Sequence, residues 1–156
     1  MKKLILLFLF LGSTILISAQ PSANLRKAFI LGENEEQYDA MRVEYARTLL
    51  IVNDNDPEKA LTTWFKLLKD IEAYAEKIGY SLNGVKLYMN VFWNTDGTID
   101  HIGILPMNDS KNIKHENLVA IFASFIRQHT PEDLGSDKKY SHYTTVNFPT
   151  FAVKGE

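Results

Sequence analysis

The chain has 156 residues, 46% of them hydrophobic and 23% charged, with a formal net charge of −2 and no cysteine. This length and composition suit one globular domain with a packed core and exclude a disordered chain. A mildly acidic balance with no basic run makes nucleic acid and anionic membrane surfaces poor partners, and the lack of cysteine excludes disulfides, thiolate metal sites, a cysteine nucleophile and a lipobox anchor.

Lys2 and Lys3 open the chain, and an apolar run follows from Leu4 to Leu11. Gly12-Ser13-Thr14 interrupts it, and Ile15 to Ile17 lead into Ser18-Ala19-Gln20. A basic start, an apolar middle and a small-residue end describe a secretory signal. Residues 1–19 are therefore expected to be a signal peptide, cleaved near Ala19-Gln20, and the remainder to be periplasmic or secreted. The competing reading is a retained anchor, which needs about 20 apolar residues. The run from Leu4 to Ala19 is shorter and holds hydroxyls, so no stable membrane anchor is expected. Residues 20–33 are expected to form a flexible lead-in to a single domain over residues 34–156.

Asn34 with Gln37 three residues on suggests a capping box. Tyr38, Met41, Tyr45 and Leu49 then recur at helical spacing as one apolar stripe. Asn53-Asp54-Asn55 is turn material. Asp56 suits a helix cap, Pro57 the first helical position and Glu58 the positive helix end. Leu61, Trp64, Leu68, Ile71, Ala75 and Ile78 continue at helical spacing, and Gly79 can end the helix in a left-handed conformation. Residues 34–79 are thus expected to form a helical hairpin.

The period changes after Gly84. Val85 to Val91 alternates like a half-buried strand, Trp93 continues the inward set, and Phe92 falls on the other face. Asn94-Thr95-Asp96-Gly97 reads as a hairpin turn, and Thr98 to Leu105 as the return strand. His115 to Gln128 is a third helix with Leu118, Ile121, Phe122 and Phe125 on one stripe, stopped by Thr130-Pro131. Tyr140 to Val153 is a last extended segment, where Pro149 implies an edge strand or a break. The expected fold class is α+β: an N-terminal helical hairpin, then a β-β-α-β unit with a small antiparallel sheet.

Residues 84–153 resemble the C-terminal domain of the TonB family. The likeness rests on the alternating Val85–Trp93, the turn Asp96-Gly97, the return strand Thr98–Leu105, the apolar helix Leu118–Phe125 and the ending Val146-Asn147-Phe148. It implies a periplasmic binding fold that can pair its last strand with a partner peptide. The family's aromatic and proline signature after the helix is reduced here to His129-Thr130-Pro131. Its proline-rich spanning segment is missing, so an energy-transducing role is not implied.

No chemistry-bearing constellation stands out. His101, His115, His129 and His142 form no H-x-H or H-x-x-x-H pair, and the Asp96-Gly97 region lacks the carboxylates of a calcium loop. No metal, cofactor or catalytic residue is expected. The aromatics carry more information. Tyr88, Phe92, Tyr140, His142, Tyr143 and Phe151 are the candidate binding residues, either as an exposed patch on the open sheet face or as core beneath the N-terminal helices. The expected function is a non-enzymatic module binding a protein or peptide of the cell envelope along its last strand. Two alternatives stand beside it. One is a small-molecule or hydrolytic pocket between sheet and helices, lined by Trp64, Trp93 and histidines. The other is a structural envelope protein. Oligomeric state is not readable from the sequence.

Overall fold

The computed structural model describes residues 25–131, 134 and 136–150. The proposed signal and Phe151 lie outside these residues. The elements run β1 (Ala28–Ile30), α1 (Glu35–Glu44), β2 (Arg47–Thr48), α2 (Leu49–Val52), α3 (Pro57–Lys77), β3 (Lys86–Trp93), β4 (Ile99–Pro106), α4 (His115–Gln128) and β5 (Tyr140–Asn147). The five strands form one mixed sheet in the order β1-β4-β3-β5-β2. Its centre is antiparallel, β4-β3-β5, and its two flanking strands run parallel to their neighbours. The class is α+β.

Strand alternation divides the sheet into two faces. Leu87, Met89, Val91 and Trp93 of β3 point to one face with Ile102 and Ile104 of β4, where Trp64, Leu68 and Ile71 of α3 and Leu118, Phe122 and Phe125 of α4 complete the main core. Phe92 points to the other face and packs with Phe29, Met41 and Tyr45 in a second, smaller core. The α3 helix begins as its sequence demands. The Asp56 carboxylate accepts from the Glu58 and Lys59 N–H groups at 3.0 and 3.2 Å, and Pro57 occupies the first turn.

The structure departs from the helical hairpin expected over residues 34–79. Helix α1 ends at Glu44, and the chain crosses the sheet edge as β2 before α2 begins. Tyr38, Met41 and Tyr45 therefore serve the small core, whereas Leu49 serves the main one. The stripe that looked continuous is shared between opposite faces of the sheet. The Thr48 hydroxyl caps α2 by accepting from Ile51 N–H. Asn34 stands at the α1 N-cap without a side-chain cap bond, so the expected capping box does not form.

The lead-in also contains structure. Ala28–Ile30 pairs in parallel with Ile102–Ile104 and is buried throughout. Phe29 lies across Gly103, where an added Cβ would stand 3.0 Å from the ring and 2.7 Å from Leu31 Cδ2. The missing side chain at Gly103 makes room for β1 to cross there. The last strand stops at Asn147, before Phe148 and Pro149.

Candidate functional site

Face by face, the aromatic candidates separate. Tyr140 and His142 point into the helix-covered face. Tyr140 is buried and stacks on Trp93 at 5.1 Å, and His142 meets Trp64 at 4.6 Å. Burial lowers the His142 pKa. Phe92 points to the opposite face but is fully covered by Tyr38 and Tyr45, at ring distances of 6.2 and 5.3 Å. Phe92, Tyr140 and His142 are therefore packing residues; for these three the structure follows the reading of core beneath the N-terminal helices and corrects the reading of an exposed patch. Aromatic content alone does not reveal which rings a helix will cover. Tyr88 and Tyr143 remain open, at 49% and 78% exposure.

The expected pocket between sheet and helices is also corrected. Trp64 and Trp93 are buried in the main core, and the gap beside Trp93 and Tyr140 is about 20 Å³. That is room for little more than one water.

Helix α1 covers only part of the small-core face. Beside it lies a groove in two connected parts that share Tyr38, Asn90 and Tyr143. One part holds about 550 Å³ against Arg42, Thr48 and Ser141, and the other about 310 Å³ against Leu31, Tyr88 and Leu105. The second part is apolar in character, and the first carries the hydroxyls and Arg42. Arg42 and His142 are the basic residues on the described lining, and burial favours the neutral form of His142. The ion-pair partner of Arg42 among the described residues is Asp39 at 3.7 Å, with both side chains largely in solvent, an arrangement that holds a cation weakly.

Asn90 sits at the centre of the groove floor, only 3% exposed. Its Nδ2 donates to the Tyr38 hydroxyl at 3.2 Å, and its Oδ1 has no hydrogen-bond partner among the described residues. An enclosed, unpaired amide oxygen costs about 1–3 kcal/mol. Sequence reasoning passed over Asn90 because it looked like an ordinary polar residue in an alternating strand. The signal was present: its neighbours Met89 and Val91 are apolar, and so is Phe92 two places on, on Asn90's own face.

A polar cluster fixes α1 beside this groove. The buried Tyr45 hydroxyl donates to Asp100, which also accepts from Lys27 at 2.6 Å. Lys139 reaches Tyr45 Oη at 3.2 Å and Glu44 at 2.5 Å, and lies 4.9 Å from the Tyr45 ring centroid. Burial alone would raise the Asp100 pKa. The hydrogen bonds from Lys27 and Tyr45, with the charges of His101 and Lys27, outweigh it and hold the carboxyl at about 2. Tyr45 is pushed up to about 12, first by burial and then by its bond to Asp100. The Lys139 ammonium is held above its ordinary range by its bonds to Glu44 and Tyr45. These groups neutralise one another and join α1, β4 and the start of β5.

The edge of β5 completes the site. Strand β2 pairs only with Tyr140 and Ser141, so His142 to Asn147 pair on the β3 side alone among the described residues. Phe148 N–H donates to Val85 O at 2.9 Å, and Leu87 pairs with Val146. An antiparallel ladder alternates, so Tyr143, Thr145 and Asn147 turn their backbone groups to the open edge. No three His, Asp or Glu side chains among the described residues are placed to hold a metal ion, and no helix among them is long and apolar enough to cross a membrane. Comparison with protein-family models, with curated proteins and with solved structures finds no match.

Proposed function

We propose that the protein is an exported, non-enzymatic module that binds an extended protein segment by strand pairing along β5. The observation that carries this reading is the short reach of β2, which among the described residues leaves the edge from His142 to Asn147 with pairing on one side. An open strand edge is a template for another strand, and backbone bonds there supply affinity without regard to sequence. Exposed Tyr143 beside the edge supplies contact area. The likeness of residues 84–153 to the TonB C-terminal domain points the same way, as does the signal-like start of the chain.

Amide hydrogen exchange tests the proposal directly. Adding a binding peptide slows exchange at Tyr143, Thr145 and Asn147, while core amides of β3 stay as they were. Thr145→Pro removes one outward N–H at a position where an edge strand tolerates proline. It weakens binding roughly ten-fold, the loss of about one good hydrogen bond, whereas Thr145→Val does not. Peptide binding that leaves all three edge amides unprotected overturns the mode of pairing.

A further inference from the structure

The β5 edge that the described residues leave open is closed at one end. Thr48, the last residue of β2, pairs with Ser141, and the chain then turns away into α2. A strand laid along β5 from Asn147 towards His142 runs into Thr48 and has to stop or leave the sheet. The larger part of the groove opens at that point, since Thr48, Ser141 and Tyr143 belong to its lining. So does Arg42, the one charged residue there and only loosely held by Asp39.

From this geometry we infer that the groove recognises the carboxyl terminus of a partner peptide whose last residue is apolar or aromatic. The inference rests on the strand-pairing reading. A partner running antiparallel to β5 brings its C-terminal end to the Thr48 stop, and a parallel partner brings its N-terminal end. The cation at that end selects the carboxylate, because Arg42 pairs with an anion and repels an ammonium group. The last residue leaves the sheet over Tyr143, and its side chain enters the near end of the apolar half, beside Tyr143 and Tyr88, where about 310 Å³ suits one large side chain. Asn90 Oδ1, unpaired among the described residues at the junction of the two halves, accepts from the partner's terminal amide N–H once the Tyr38–Asn90 contact shifts. One residue thereby satisfies three different groups, which gives a chain end an advantage over an internal segment.

The experiment uses isotope-labelled protein and a soluble octapeptide that alternates threonine with valine or lysine and ends in phenylalanine. The free acid and the C-terminal amide are titrated in parallel, with resonances followed at Arg42 and Asn90 in the groove and at Thr145 and Asn147 on the edge. The acid is expected to bind roughly ten-fold tighter than the amide and to shift both sets of resonances. Arg42→Gln, a change at an exposed side chain, abolishes the difference between acid and amide, and Arg42→Lys keeps most of it. Equal binding of acid and amide, with edge shifts retained, overturns carboxylate recognition and leaves strand pairing standing. An acid preference with groove shifts and a silent edge supports the carboxylate site and overturns strand pairing. Dodecanoate that binds the groove as tightly as the peptide overturns the commitment to a peptide. No binding by either peptide at millimolar concentration overturns both readings.

Discussion

Asp100 is the residue on which the seating of α1 turns. Its carboxylate lies between Lys27, Tyr45 and His101, contributed by the approach to β1, the end of α1 and β4. Its folded pKa of about 2 lies below the ordinary 3.8. The group therefore adds stability that is fully present above about pH 4 and is lost as pH falls through 3.8 towards 2. Asp100→Asn is expected to flatten the fall in thermal stability between pH 4 and pH 2 and to lower the melting temperature at pH 7. An acid limb of unchanged steepness in D100N would show that other carboxylates carry it. Tyr45→Phe removes the hydroxyl that Asp100 and Lys139 share, and costs about 1–2 kcal/mol in urea unfolding at neutral pH. None of this was legible in the sequence. Asp100 there is one acid after a turn, and its partners lie 55 and 73 positions away. The pairing exists only because β1 and α1 both return to β4.

At the scale of elements, legibility followed the range of the signal. Helix α4 from His115 to Gln128 and its buried stripe were readable from spacing alone, and so were the Asp56 cap and the hairpin around Gly97. These depend on residues within a turn or two of one another. The path from Tyr38 to Leu49 was misread because helical spacing records periodicity and says nothing of which core each apolar residue enters. Strand β1 was missed since three residues give no periodicity to detect. Its mark in the sequence lies elsewhere, at Gly103, whose bare Cα accommodates Phe29 and Leu31. Gly103→Ala is expected to destabilise the fold by about 1–3 kcal/mol through overpacking, read as a lower midpoint in urea with an unchanged slope. The contacts at 2.7 and 3.0 Å are made by side-chain atoms of Leu31 and Phe29. The Leu31 methyl can turn aside, and the strain that remains is taken up by shifting the Phe29 ring, which packs on Tyr38. A variant as stable as the parent would mean that β1 yields without cost.

The whole molecule manages its two sheet edges unequally. Among the described residues, β1 shields the middle of β4 on one side, from Ile102 to Ile104, and β2 shields only Tyr140 and Ser141 on the other. An unprotected edge invites association, so the contrast bears on both stability and binding. If β1 is a functional cover, a chain begun at Asn34 should fail where a chain begun at Gln20 succeeds. Losing Phe29 and Ile30 removes two buried side chains, each worth about 1.5–3 kcal/mol. That sum is a large fraction of the roughly 5–15 kcal/mol that holds a typical domain folded. Phe92 and Gly103 would meet solvent, and Lys27 would no longer balance Asp100. The shorter chain is therefore expected to unfold roughly 10 °C lower or more, at about 3–4 °C per kcal/mol near this size, and to associate through β4 on size exclusion. The longer chain should stay monomeric with its β5 edge still open to peptide. A monomeric, equally stable chain from Asn34 would show that the fold does not need residues 20–33, the segment expected from the sequence to be a flexible lead-in, and would leave β5 as only one of two edges available for pairing.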